Sequence, residues 1–227
     1  MKTAEKILLT SLELFNQQGE ANVTCVDIAL ELDISPGNLY YHFRGKEVIV
    51  SALFDIYLAK TSKILVSPSS DKLTIESFFY YLYQLLESGN IYRFIYRNPT
   101  DLILKYPAIS RNFNKLLKSK EQAVAAILDH FQEQQILQAA PEQRRSLTQL
   151  ITLIFTQSQN YFHLTSKDVA MEDASLQSLG WIYQAIAPYL TLDEQERADA
   201  IAAVSRQAAN SSDEQQGENF LEKLATS

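Results

Sequence analysis

Three short helical segments, separated by two tight breaks, occupy the first 43 residues of the chain. The first segment, residues 4–18, carries apolar side chains at helical spacing and ends before Gly19. Thr24 provides an N-cap for a second helix. Ser35 followed by Pro36 is a strong start signal for a third helix, which is predicted to end near residue 43. Two short helices joined by a tight turn and preceded by another helix form a helix-turn-helix layout.

The third helix has two chemically different faces. Leu39 and Phe43 lie four residues apart and are predicted to point into the small core of this unit. The opposite face carries small, polar and aromatic side chains, which suit a DNA major groove about 12 Å wide. The amide of Asn38 is of the kind that pairs with adenine through two hydrogen bonds. This face predicts contact with DNA through Pro36, Gly37, Asn38, Tyr41 and His42.

The net charge of the chain is −7, which argues against nucleic-acid binding because domains that bind DNA are usually basic. Residues 1–60 are also acidic, with five basic and eight acidic side chains. Residues 34–46, however, contain Arg44 and Lys46 and no acid. The tip of the helix-turn-helix is therefore expected to be positive while the rest of the surface is negative.

The run from Thr24 to Glu47 resembles the DNA-binding signature of the TetR family of regulators. The resemblance extends over roughly residues 4–57, and its specific part is Ile28-Ala29, Ile34-Ser35, Gly37, Leu39-Tyr40, His42-Phe43 and Lys46-Glu47 in one register. It implies an all-α fold in which a three-helix helix-turn-helix domain is joined to a larger helical domain. In this family the larger domain typically dimerises through two helices and holds a small-molecule pocket.

The resemblance also implies roles for individual residues. Thr24 would cap the second helix against a phosphate, and Tyr40, His42 and Lys46 would hold the DNA backbone. For Tyr40, a ring packed on the core and a hydroxyl at the backbone are both expected. Bases would be faced by Pro36, Gly37, Asn38 and Tyr41. The complete predicted DNA-contacting set is Thr24, Ser35, Pro36, Gly37, Asn38, Tyr40, Tyr41, His42 and Lys46.

Two positions depart from the family pattern. Asp33 occupies a turn position where the family usually has glycine, and aspartate tolerates left-handed backbone better than most residues. Asn38 stands where a small hydroxyl residue is common, so the base preference of the family does not carry over.

The remainder of the chain is predicted to form longer helices. Glycine and proline are sparse, with six of each in 227 residues, which favours long helices over many short strands. The loop at residues 67–70 separates a DNA-binding domain (1–66, motif about 24–43) from a ligand-binding and dimerisation domain (67–209), and a flexible tail follows (210–227). Helices are predicted at roughly 72–88, 91–105, 107–137, 142–166, 172–187 and 193–209.

A dense aromatic stretch and a basic run point to a ligand site in the larger domain. The rings either form helix core or line a pocket, with tyrosine hydroxyls as polar contacts. The predicted pocket residues are Phe79, Tyr83, Phe94 and Tyr96. Residues 89–120 hold seven basic side chains and one acidic one. This run is either a solvated face or a positive rim that attracts an anionic ligand.

The two helices near residues 142–166 and 172–187 carry apolar stripes that predict a four-helix dimer contact. The alternative is that both helices close the core of a single subunit. The predicted interface residues are Ile151, Ile154, Phe155, Leu179 and Tyr183.

Catalytic and metal chemistry find no support in the sequence. The three histidines are far apart, only one cysteine is present, and no phosphate-binding loop or nucleophile motif occurs. We therefore predict no enzyme activity, no metal and no cofactor. No membrane span is predicted, and a cytoplasmic location is expected.

The predicted function is that of a repressor, a homodimer that is released from near-palindromic operator DNA by a small molecule. An activator, a constitutive DNA binder and a helical interaction module are the alternatives.

Overall fold

The computed structural model describes residues 2–66, 73–165 and 171–193, together with residues 195, 196, 198, 199 and 202. In this part of the chain ten α-helices form and no β-strand does, which confirms the all-α prediction. The helices are α1 (Thr3–Gln18), α2 (Cys25–Glu31), α3 (Pro36–His42), α4 (Lys46–Leu65), α5 (Ile75–Ile91), α6 (Phe94–Arg97), α7 (Pro99–Lys105), α8 (Pro107–Glu133), α9 (Pro141–Thr165) and α10 (Met171–Ile186).

Side-chain caps fix where α2 and α3 begin, as the sequence predicts. The Thr24 hydroxyl accepts a hydrogen bond from the Asp27 backbone N–H at 3.2 Å, and the Thr24 N–H donates to the Asp27 carboxylate at 2.8 Å. The Ser35 hydroxyl accepts from the Asn38 N–H at 3.2 Å. These bonds satisfy N–H groups that have no partner within the helix itself.

The turn between α2 and α3 is closed by backbone geometry. Asp33 has a φ of 51°, which is the left-handed conformation predicted for this position. The Ile34 N–H then donates to the Ala29 carbonyl at 3.0 Å. Because the chain reverses within so few residues, α3 is held at a fixed angle against α2.

The prediction of one continuous helix over residues 91–105 is wrong. Asn98 has φ −148° and ψ 72°, which breaks the chain into α6 and α7. The physical reason is Pro99, which has no N–H to donate and disfavours helical geometry at the preceding residue. The predicted loop at 67–70, the tail at 210–227 and most of the predicted helix 193–209 lie outside the described residues.

Two hydrophobic clusters form the core, and α4 packs against helices of both. The first cluster combines α1–α4 with α6, α7 and the beginning of α8, and it includes the ring contact between Phe15 and Phe94 at 5.5 Å. The second is built from α5, the end of α8, α9 and α10. Within the described ranges no helix combines the length and hydrophobicity that crossing a bilayer requires.

Candidate nucleic-acid interface

Helix α3 presents most of its side chains to solvent. Its anchor is Leu39, which is fully buried against the first core cluster. The predicted DNA-contacting residues of this segment are all exposed: Ser35, Pro36, Gly37, Asn38, Tyr40, Tyr41 and His42. Tyr41 is 83% exposed, and its ring lies edge-on to that of His42 with 5.2 Å between centroids. A helix fixed by its core contact thus displays a continuous polar and aromatic face.

Gly37 is not required by the packing of the protein itself. A Cβ atom built at this position would meet only the Ser35 hydroxyl, at 3.9 Å, and its backbone is not left-handed. A glycine that the fold does not need is consistent with close approach of another molecule to the backbone.

Two of the predicted contacts are partly occupied within the protein. The Thr24 hydroxyl donates to the Asp27 carboxylate at 2.7 Å, so its hydrogen is not free for a phosphate. Tyr40 is 48% exposed and hydrogen-bonds toward the thiol of Cys25. Burial raises the pKa of the Cys25 thiol, and this hydrogen bond only partly opposes the effect. The Tyr40 side chain is therefore directed partly toward Cys25 and partly toward solvent.

Lys46 does not face outward as predicted. Its ammonium donates to the backbone carbonyls of Glu20 at 2.9 Å and Val23 at 2.8 Å, and it pairs with the Glu20 carboxylate at 2.9 Å. An ammonium has three hydrogens, and these contacts use all of them. Lys46 accordingly positions α4 against the segment after α1. The exposed cation near α3 is Arg44, which forms no ion pair with any described residue.

Glu20 joins the N-terminal helices to the larger domain. Its buried carboxylate accepts hydrogen bonds from Lys105 at 3.0 Å and from the Tyr106 hydroxyl, in addition to Lys46. Burial alone would raise the pKa of Glu20, but the hydrogen bonds from Tyr106, Lys46 and Lys105 outweigh burial and lower it. We call Glu20, Lys46, Lys105 and Tyr106 the junction network. Sequence reasoning missed Glu20, since nothing local predicts its partners.

The four predicted pocket residues are divided between the two core clusters. Phe79 and Tyr83 belong to the second core cluster, whereas Phe94 and Tyr96 belong to the first, and all four are buried. Phe79 and Phe94 contact other rings of the same subunit, whereas the Tyr96 hydroxyl lies 2.6 Å from that of Tyr57. A cleft of about 490 Å³ lies instead against the junction network, and its lining is Lys46, Glu47, Ser51, Lys105, Tyr106, Pro107 and Ala108.

The basic run of residues 89–120 does not form a single rim. Lys105 pairs with Glu20, Arg97 approaches the His163 ring nitrogen at 2.8 Å, and Lys120 is buried with a 1% exposed surface. The side chains left on the solvated face are Arg111, Lys115 and Lys118.

Three of the five predicted interface residues are enclosed by their own subunit. Ile151, Phe155 and Leu179 are buried in the second core cluster. Tyr183 is half-buried and contacts Phe79 of the same subunit, with 5.8 Å between ring centroids, and Ile154 is also half-buried. A side chain already enclosed by its own subunit has little surface to offer a second one.

The same two helices carry another apolar surface that does face solvent. Tyr161 of α9 and Trp181 of α10 are in edge-to-face contact at 5.4 Å, which joins the exposed sides of the two helices. We define the outer face as Leu150, Leu153, Tyr161, Leu164 and Trp181, which are 38–75% exposed. Gly180 adjoins it, and a Cβ there would meet nothing within 4 Å. Large exposed apolar side chains grouped in this way are typical of protein interfaces.

Lys120 is not among the predicted site residues, although the sequence places this lysine at an apolar position of a helix. It occupies the buried stripe of α8, in helical register with Phe113, Leu116 and Val124. A charged side chain in the core register of an amphipathic helix is rare unless it has a buried partner.

Two family models match the chain. The model described as bacterial regulatory proteins of the tetR family matches residues 7–53. The model described as TetR, bacterial transcriptional repressor, matches residues 56–198. Together they cover both core clusters described above.

Known proteins agree with these matches. A TetR-family transcriptional regulator from Marinobacter aquaeolei VT8 has a TM-score of 0.79 and 29% identity, over 91% of this chain and 98% of that one. A putative transcriptional regulator from Saccharomonospora viridis in complex with choline has a TM-score of 0.63 and 17% identity, over 80% of this chain and 95% of that one. At that identity the likeness shows the fold alone.

A curated relative is the probable HTH-type transcriptional regulator YttP of Bacillus subtilis (strain 168). It is 29% identical over 108 residues, which are 44% of this chain and 52% of that protein, so the chain matches about half the length of this relative. The family models span most of the chain and the helix-turn-helix geometry matches them in position. The chain therefore belongs to the TetR family of bacterial transcriptional regulators.

Proposed function

We propose that the protein is a homodimeric repressor that binds a near-palindromic operator through α3 and leaves it when a small molecule binds. The observation that carries the DNA-binding part is the exposed polar face of α3, fixed to the core by Leu39. Asn38 and Tyr41 read bases, and His42 and Arg44 contact phosphates. Lys46 acts as a positioning residue through Glu20.

A second copy of α3 is needed because one short helix offers too few contacts for a specific site. The outer face of α9 and α10 supplies the dimer contact, since its leucines and aromatic rings are exposed in the single subunit. A two-fold axis through this surface pairs the same residues from both subunits. Binding of both half-sites at once requires that the two α3 helices lie about one DNA helical turn apart, or at a related spacing.

Selection of bound duplexes from a random library, using the full chain, tests this function. We expect enrichment of a near-palindrome whose half-sites are about 10 base pairs apart, or a related spacing. Binding to the enriched duplex should weaken steeply as salt rises, because phosphate contacts release counterions. Recovery of unenriched sequences, or salt-independent binding, would contradict the proposal.

The course of α4 supports release by a small molecule. This helix begins at Lys46 in the junction network and continues to Leu65 along both core clusters. A ligand that favours one position of α4 shifts the separation of the two α3 helices. By reciprocity, operator DNA must weaken the binding of that ligand by the same factor, usually about 5–150-fold. The choline bound to the Saccharomonospora viridis protein does not identify the ligand of this chain. The chemical class of that ligand has to be inferred from the residues of this chain.

Replacing Gly37 with alanine should raise stability and lower operator affinity together. Alanine is the better helix former, and the fold has room for its methyl group, so the melting temperature should rise by about 1–2 °C. The same methyl group would hold the α3 backbone away from DNA, with a loss of at least about tenfold in affinity. Thermal melts and fluorescence anisotropy measure the two effects. Equal or tighter operator binding would remove Gly37 from the interface.

Replacing Asn38 with alanine should change which base is preferred at one position of each half-site. A side chain that reads a base contributes about 1–3 kcal/mol of discrimination, whereas a phosphate ligand weakens all sequences alike. Repeating the duplex selection with the variant measures the preference. A uniform loss over all duplexes would mean that Asn38 does not read a base.

A further inference from the structure

Lys120 is a buried cation held by two phenols. Its ammonium lies 3.1 Å from the Tyr57 hydroxyl and 3.2 Å from the Tyr96 hydroxyl, and the two hydroxyls are 2.6 Å apart. The ring of Phe155 lies beside it, with 5.4 Å from the ammonium to the centroid. The lysine is on α8, and its partners come from α4, α6 and α9.

No carboxylate compensates this charge in the described part of the chain. The ion pairs found there involve Lys46, Lys105 and Arg144, and none involves Lys120. Tyr96 does not supply a negative charge either. Burial and the neighbouring Tyr57 raise the pKa of Tyr96 well above its usual value, so this phenol stays neutral. Aromatic faces attract a cation, but they carry no net negative charge.

The cluster also has more hydrogen-bond donors than acceptors. Lys120 uses one hydrogen on each phenol, and one phenol donates to the other. One ammonium hydrogen and one phenol hydrogen are left without an acceptor among the described residues. The hydroxyl of Tyr92 is buried nearby without a partner in the same part of the chain, and its ring contacts that of Tyr57 at 5.3 Å. Such a site is complementary to a group that accepts hydrogen bonds and carries negative charge.

We infer that Lys120, Tyr57 and Tyr96 bind the carboxylate of an effector whose remaining part is apolar. The inference rests on the proposed function and names the chemical class of its ligand. One ammonium neutralises one carboxylate, and two carboxylate oxygens match the unused ammonium and phenol hydrogens. The apolar part of the ligand is matched by the rings of Phe113 and Phe155, which adjoin Tyr96 and Lys120.

Binding at this site acts directly on α4. Lys120, Tyr57 and Tyr96 are buried and hydrogen-bonded to one another. A carboxylate therefore reaches Lys120 by separating Tyr57 from Tyr96. Tyr57 lies on α4, the helix that begins at Lys46 in the junction network. Displacement of Tyr57 therefore moves the helix that sets the position of α3.

The first test compares Lys120→Met with Lys118→Met in the absence of any ligand. A buried charge without a counterion lowers stability, so an apolar side chain of similar length should raise the melting temperature by about 5 °C. Lys118 is exposed on the same helix, and its variant should melt like the wild type. An unchanged or lower melting temperature for Lys120→Met would make Lys120 a structural residue and would overturn the inference.

The second test uses benzoate, hexanoate and decanoate, each paired with its primary amide. At saturation at least one carboxylate should raise the melting temperature of the wild type and of Lys118→Met by at least about 3 °C. The amides should not, and Lys120→Met should not respond. The inference is overturned if no carboxylate acts, if an amide acts equally, or if Lys120→Met responds like the wild type.

These melts contain no DNA, so they are independent of the proposed function. Operator binding by the wild type alone decides that function. A carboxylate response without operator binding would support the carboxylate site and contradict the repressor function. Operator binding without a carboxylate response would support the repressor function and contradict the carboxylate site.

Discussion

We expect the Leu153→Asp substitution to convert the protein into a monomer and to abolish tight operator binding. Leu153 belongs to the outer face and is 55% exposed. A two-fold interface brings two copies of the aspartate into one apolar contact, and like charges placed there cost several kcal/mol. A loss of about 3 kcal/mol weakens the dimer by about 150-fold. Sedimentation velocity measures the association, and fluorescence anisotropy measures operator binding.

The control is Leu104→Asp, which places the same charge on an exposed leucine of α7, outside the outer face. It should remain dimeric and bind operator like the wild type. Both variants should keep the helical circular dichroism of the wild type, because neither leucine is buried. An intact dimer with Leu153→Asp would move the interface to another surface.

The second large effect is expected for Glu20→Ala. The substitution leaves Lys46 and Lys105 without their carboxylate and Tyr106 without its acceptor. Breaking a buried ion pair costs about 3–5 kcal/mol, but Lys105 is 41% exposed and solvent compensates part of its loss. We expect the free energy of unfolding to fall by about 2 kcal/mol, measured by urea denaturation near neutral pH.

The pH dependence of this contribution has a definite sign. The folded protein holds the pKa of Glu20 below the usual value for a glutamate, about 4.3. The stabilisation is therefore complete above that value and is lost as the pH falls through the folded pKa. Glu20→Gln should lack this acid-dependent loss, so its deficit relative to the wild type should shrink as the pH is lowered. Glu133→Gln, on an exposed position of α8, is the control and should show a constant difference. A constant deficit for Glu20→Gln would contradict the assigned junction role.

Local signals were sufficient for the helix-turn-helix. Thr24 and Ser35 cap α2 and α3 as their sequence context predicts, and Asp33 adopts the left-handed turn. Leu39 is buried while its neighbours on α3 are exposed, as the spacing of apolar residues indicates. These features depend on residues within four positions of one another, so they can be predicted from the sequence alone.

Features that depend on distant partners were not predictable. The position of Lys46 in the sequence predicts contact with DNA, but Glu20, 26 positions earlier, binds its ammonium. Helices α9 and α10 are apolar on two sides, and helical periodicity does not say which side a subunit encloses. Periodicity alone therefore places Ile151 and Leu179 at the interface, whereas both are core residues. The packing of α5 and α8 against these helices separates the two sides.

The first core cluster runs across the boundary that the sequence suggests near residue 66. Rings from α1 and α4, including Phe15 and Phe54, pack against Phe94 and Phe113, far beyond that boundary. A fragment ending at residue 66 would expose these rings to water. We therefore expect that the helix-turn-helix domain does not fold on its own. Grafting it onto another regulator would require the complementary surface of residues 92–116 as well. We therefore expect the helix-turn-helix and residues 92–116 to unfold as one cooperative unit.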